Sequence, residues 1–173
     1  MAISINELRI ASRRTQRTVV ANSLFEAKSK NKQTAFLCHS HKDNDLAEGL
    51  QTLLAEDGWD VYIDWQDNEM PETPNKVTAS NIQSKISETD WFLFLATPNF
   101  TNSKWCPWEV GYADAKKAHE KIIIIPTTDQ SGNWYGNEYL QLYKKLDSAS
   151  SIIKKSGYAV FNVKVVDIYG HSL

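Results

Sequence analysis

The stretch NSKWCPWEVGYADAKK (102–117) sets the carboxylate of Glu109 just after two indoles, Trp105 and Trp108. Ser103 and Pro107 mark a helix start, because serine caps well and proline is tolerated in a first turn. Residues four apart on a helix share a face, so Trp105 lies one turn above Glu109. A flat ring beside a carboxylate fits a nucleoside, with the ring on base or ribose and the carboxylate on hydroxyls. A plainer reading stands beside it: the helix dipole favours an acid in the first turn of any solvated helix. Trp105 and Trp108 also read as core anchors, and for Trp108 that is the expectation.

Strands and helices must hold these residues. TAFLCHS (34–40), WDVYID (59–64), WFLFLAT (91–97) and KIIIIPT (121–127) are short apolar runs expected to be buried strands. DNDLAEGLQTLLAEDG has leucines at helical spacing, and Gly58 follows its end. KVTASNIQSKISETD and NEYLQLYKKLDSASSIIKK are further expected helices, and YAVFNV or VKVVDIY a last strand. Residues 4–30 read as one amphipathic helix with Leu8, Ile10, Val19, Leu24 and Phe25 as apolar members. It is an appendage that packs on the domain or on a partner. Alternating strands and helices imply a parallel sheet covered on both faces.

Ligands of open α/β sheets bind beyond the carboxyl ends of the strands. That rule selects CHSHKDN, DWQDNEMPE, TPNFTNSKWCPWE and TTDQSGNWYG. The first helix offers free N–H groups beside Lys42, a seat for a pyrophosphate. Asp43 and Asp45 read as caps of that helix. Cys38, His39 and His41 crowd together, but alternate strand residues face opposite ways and no second ligand pair exists, so no metal is expected. His39 also reads as a hydrogen-bonded turn residue, and Cys38 as a small buried one. Trp134 and Tyr135 line the pocket or pack under a loop. No G-x-G-x-x-G, P-loop or G-x-S-x-G pattern is present.

The chain has 173 residues, a formal charge of −2 and a pI near 6.1, the size of one domain without the basic footprint of a nucleic-acid binder. Two cysteines argue against a disulfide framework and for a reducing cytoplasm. No apolar run reaches the roughly 18 residues that span a bilayer, so no membrane partner is expected.

TAFLCHSHKDNDLAEGLQTLLAEDGWDVYID resembles the opening of a TIR domain, WQDNEMPE sits where that family has its mobile loop, and TNSKWCPWEVGYA is similar to its S-x-W-C-x-x-E segment. The resemblance covers about residues 33 to 165. It implies a flavodoxin-like, three-layer α/β fold with a five-stranded parallel sheet in the order 2-1-3-4-5. Residues 1–31 would be an N-terminal helical extension and 32–173 the TIR domain.

Some TIR domains cleave the nicotinamide–ribose bond of NAD⁺, and others only assemble. The enzymes carry a glutamate with a tryptophan four residues earlier, positions filled here by Glu109 and Trp105. The resemblance therefore implies Glu109 as catalytic residue and NAD⁺ as substrate, with no separate cofactor. His39, Ser40, Lys42, Asp64, Trp65, Thr97 and Trp105 are the expected substrate-binding residues. It extends to bacterial TIR proteins of anti-phage systems such as Thoeris, which make an ADP-ribose-derived signal read by an effector. The loop WQDNEMPETPN departs from the R-D-x-x-P-G of adaptors. An assembly module acting through TIR–TIR contacts is the alternative, and a nucleoside deoxyribosyltransferase would use a similar sheet and glutamate.

The chemistry suits a lone acid. Nicotinamide leaves NAD⁺ neutral, so no general acid is required, whereas ordinary glycoside hydrolysis uses two carboxylates. One desolvated carboxylate can stabilise the oxocarbenium-like ribose left behind. Water, a hydroxyl or base of the same molecule, or an external nucleophile would each complete the reaction.

Overall fold

The computed structural model describes residues 2–14, 33–67, 75–133, 135, 140, 142–147 and 159–161. The strands are β1 (Ile3–Ser4), β2 (Gln33–Cys38), β3 (Trp59–Tyr62), β4 (Trp91–Ala96), β5 (Ile122–Thr128), β6 (Lys144–Asp147) and β7 (Ala159–Phe161). The helices are α1 (Ile5–Ser12), α2 (Asn44–Glu56), α3 (Lys76–Glu88) and α4 (Cys106–Lys116).

The apolar runs form central strands because each side of the sheet has its own core. Ala35 and Leu37 of β2, Leu93 and Leu95 of β4, and Ile123 and Ile125 of β5 pack with α1 and α2. Phe36, Phe92, Phe94, Ile122 and Ile124 face the other way, onto α3 and α4. Side chains alternate along a strand, so a continuous apolar run is what burial on both faces demands. The result is the flavodoxin-like, three-layer α/β class.

The sheet runs β3-β2-β4-β5-β6-β7, with β1 beside the end of β5. Its first four places match the expected 2-1-3-4 order. The described sheet has seven strands, however, where five were expected. The fifth place belongs to β6, from a stretch read as helix. Tyr143 and Leu146 are three apart, which mimics helical spacing, but in extended chain they fall on opposite faces. Tyr143 enters one core and Leu146 the other. β6 pairs parallel to β5, and β7 antiparallel to β6. Pairing with β5 outweighed local propensity there.

The N-terminal helix is also shorter than the pattern suggested. Ser4 caps α1, and the Arg13 and Arg14 amides close it by donating to the Ile10 and Ala11 carbonyls. Ile3, Leu8 and Ala11 are buried, while Ile10 is 51% exposed. Ile3 and Ser4 pair with Thr127 and Thr128, adding a strand that the helical reading missed. α1 packs on α2 at Gly49, where a Cβ would lie 2.0 Å from the Leu8 carbonyl oxygen. Glycine is required there by close approach of the backbones. Residues 15–32, the loop segment 68–74, Trp134 and most of the stretch 136–158 lie outside the described residues. Among the described residues, no helix is long and apolar enough to cross a membrane.

Candidate functional site

The carboxyl ends of β2, β3 and β4 and the first turn of α4 meet on one edge of the sheet. β2 ends at Cys38, and the chain then turns through His39 and Ser40 into a single 3₁₀ turn, His41–Asp43, before α2. Ser40 Oγ accepts from the Lys42 amide at 3.4 Å, and its carbonyl accepts from the Asp43 amide at 2.8 Å. His39 and Ser40 are buried, whereas Lys42 is exposed.

Asp43 does not cap α2 through its side chain. Its carboxylate is only 3% exposed. It accepts from Thr97 Oγ1 at 2.5 Å and from Asn99 Nδ2 at 2.6 Å. A buried carboxylate needs donors, and the chain beyond β4 supplies them. The Thr97 hydroxyl, expected to meet substrate, is thus committed to Asp43. Asp45 is half exposed and pairs with Arg9 at 3.2 Å.

On α4, Ser103 Oγ accepts from the Cys106 amide at 3.2 Å, and the Glu109 amide donates to the Trp105 carbonyl at 2.9 Å. These bonds set the first turn and carry Glu109 inward. Glu109 is 5% exposed, so it is not a solvated first-turn acid. Burial pushes its carboxyl well above the ordinary range; the charges of Cys106 and Asp64 act in the same direction, and a hydrogen bond from Cys38 opposes them. Cys38 is wholly buried, its thiol directed at the Cys106 carbonyl 3.9 Å away. Burial raises the Cys38 thiol pKa, and the contact with Cys38 lowers that of Cys106.

Trp105 is partly buried against the core of that sheet face. Its ring meets Trp108 edge-on at 5.5 Å, and Trp108 stacks on Tyr112 at 6.1 Å. Trp108 is 36% exposed and therefore not the expected core anchor. Its place near the helix start leaves it on the outer surface, where its partners are neighbours on α4 itself.

Asp64 begins a 3₁₀ turn after β3, and its Oδ1 is buried without a partner among the described residues. Trp65 beside it is 38% exposed. Burial lowers the His39 pKa, while the Asp64 charge acts against that shift. Glu109, His39 and Asp64 are thus drawn into one electrostatic cluster, with Trp105 a turn above Glu109. Ser40 and Thr97 belong to the adjoining Asp43 network. Lys42 and Trp65 remain on the exposed surface. Asn44 and Cys106 also join the cluster. Their signal was position alone: one opens the helix after the first strand, and the other is three residues before the acid.

Residues 35–151 match the family model described as TIR domain. The chain belongs to the TIR domain family. This TIR chain is also 31% identical over 129 residues to the probable 3' cyclic ADP-D-ribose synthase ThsB' of Bacillus cereus (strain MSX-D12). The match covers 72% of the chain and 66% of that protein's length. In the TIR domain described here, Trp105, Cys106 and Glu109 stand at the mouth of α4, where Cys106 and Glu109 meet Cys38 at the end of β2.

Proposed function

We propose that the chain is an enzyme that breaks the nicotinamide–ribose bond of NAD⁺ and turns the remainder into an ADP-ribose-derived signal. The observation that carries this reading is Glu109: a carboxyl group 5% exposed, at the ligand-binding edge of the sheet, with an indole one turn away. Such a group has little value as surface charge and much value where positive charge develops. As nicotinamide departs, the pyridinium charge passes to the ribose, and the Glu109 carboxylate stabilises it in a site of low polarity. Trp105 supplies a flat wall. NAD⁺ is substrate, and the reaction uses no further cofactor. The similarity to a probable 3' cyclic ADP-D-ribose synthase supports a cyclic product and a role of the Thoeris type in anti-phage defence.

Purified chain incubated with NAD⁺ should release nicotinamide, and Glu109→Gln should lower that rate by about 100-fold or more. Equal rates in the two proteins would remove Glu109 from the reaction. Self-association is a second reading, favoured by Trp108, which is 36% exposed and stacked on Tyr112 along the outer face of α4. Light scattering that shows oligomers dispersed by Trp108→Ala, with no turnover of NAD⁺, would support it instead.

A further inference from the structure

The parallel ladder between β2 and β4 ends at the pair Cys38–Phe94. Beyond it the two chains part, one running through Ser40 to α2 and the other through residues 97–103 to α4. Asp43 joins them past the ladder. Its Oδ2 accepts from Thr97 Oγ1 at 2.5 Å, and its Oδ1 accepts from Asn99 Nδ2 at 2.6 Å. Both oxygens of one buried carboxylate are thus committed to the neighbouring loop. Hydrogen bonds to a carboxylate are shorter and stronger than neutral ones, so this pair grips the loop firmly. Asp43 is itself held, since its amide donates to the Ser40 carbonyl at 2.8 Å.

From that grip a run of bonds leads to α4. The Phe100 amide donates to the Thr97 carbonyl at 3.2 Å, and the Ser103 amide to the Phe100 carbonyl at 2.9 Å. The Phe100 ring meets Phe94 of β4 edge-on at 4.7 Å. Ser103 Oγ accepts from the Cys106 amide at 3.2 Å, and the Trp105 carbonyl from the Glu109 amide at 2.9 Å. Asp43 stands at one end of this run and Glu109 at the other.

We propose that Asp43 is a positioning residue for Glu109: its carboxylate holds the segment 97–103 and so sets the depth of the acid on the first turn of α4. As a statement about turnover this rests on the NAD⁺ reading above; as a statement about where Glu109 sits it does not. The Thr97 hydroxyl then serves the site through Asp43 rather than by touching a ligand.

Thr97→Val keeps the outline of the side chain and removes the donor, and Thr97→Ser restores a hydroxyl. Carboxyl ¹³C NMR follows the titration of Glu109, its signal assigned by its loss in Glu109→Gln. Burial is the main cause that raises the Glu109 pKa; Cys106, Cys38 and Asp64 are the titratable groups that bear on it, and neither substitution alters them. With the grip released, Glu109 should move towards water. Its titration midpoint should therefore fall in Thr97→Val and return in Thr97→Ser. A folded Thr97→Val with the wild-type midpoint overturns the proposal whatever its melting temperature, because the bond would then stabilise the fold without placing Glu109. Nicotinamide release from NAD⁺ is the second readout. Thr97→Val should lower kcat by about 10- to 100-fold, the scale expected when a reacting group is misplaced by about 1 Å, with KM changed far less. An unchanged kcat overturns the role in turnover. A wild type that releases no nicotinamide counts against the NAD⁺ reading, and the titration still decides whether Asp43 places Glu109. If Thr97→Val does not fold, Asn99→Ala cuts the other bond from a partly exposed position and is read by the same two outcomes.

Discussion

Glu109 is harder to ionise in the folded chain than in the unfolded one, because burial disfavours the carboxylate. The native state then keeps a proton that the unfolded state has already lost. Stability is therefore undiminished below the unfolded pKa and declines as pH rises towards the raised folded value. Glu109→Gln removes that decline. Its melting temperature should exceed that of wild type at neutral and alkaline pH and approach it in acid. The reverse order in a thermal scan would contradict the burial. On the proposed NAD⁺ chemistry the working form is the carboxylate, so kcat/KM for NAD⁺ should climb with pH until it passes the raised pKa. A bound pyridinium favours ionisation, so binding should release protons, visible by calorimetry in buffers of different ionisation enthalpy. Spacing alone made Glu109 and Trp105 legible as a pair. It could not show that Asp43 binds Thr97 and Asn99, because that network joins residues 54 and 56 positions apart.

Among the elements, α1 and β1 are where local pattern misled most. The apolar residues of 4–30 suggested one long helix, yet the described helix stops after Ser12 and a strand precedes it. Its role depends on Gly49 of α2, whose missing side chain admits the Leu8 backbone. Gly49→Ala should cost about 1–3 kcal/mol by overpacking. For a chain of this size that lowers the melting temperature by roughly 2–10 °C. An unchanged melting curve would mean that α1 does not sit on α2 in solution. The exposed pairs Arg9–Asp45 and Arg14–Glu56 offset little of this, since surface ion pairs contribute about 1 kcal/mol at most. β6 teaches a related lesson. Apolar residues three apart serve a helix or a strand buried on both faces, and only the presence of β5 chose between them.

For the molecule as a whole, stability is expected to be greatest where both faces and both edges of a strand are covered. β4 lies between β2 and β5, and its Phe92 to Ala96 are all buried. Amide hydrogen exchange should be slowest in β4 and the adjoining half of β5 and faster in the short β1, since protection follows burial and shared hydrogen bonds. Uniform protection across the sheet would refute this layering. The sequence by itself determined the alternation of strands and helices, the first four long strands, and the placing of an acid and an indole on one turn at the carboxyl edge of the sheet. These follow from periodicity and local backbone chemistry, which act over a few residues. Tertiary structure alone decided the added strands, the depth of Glu109, and the bond between Asp43 and Thr97. Each of these depends on residues distant in the chain arriving side by side, and the cost or gain of burial exists only once they have.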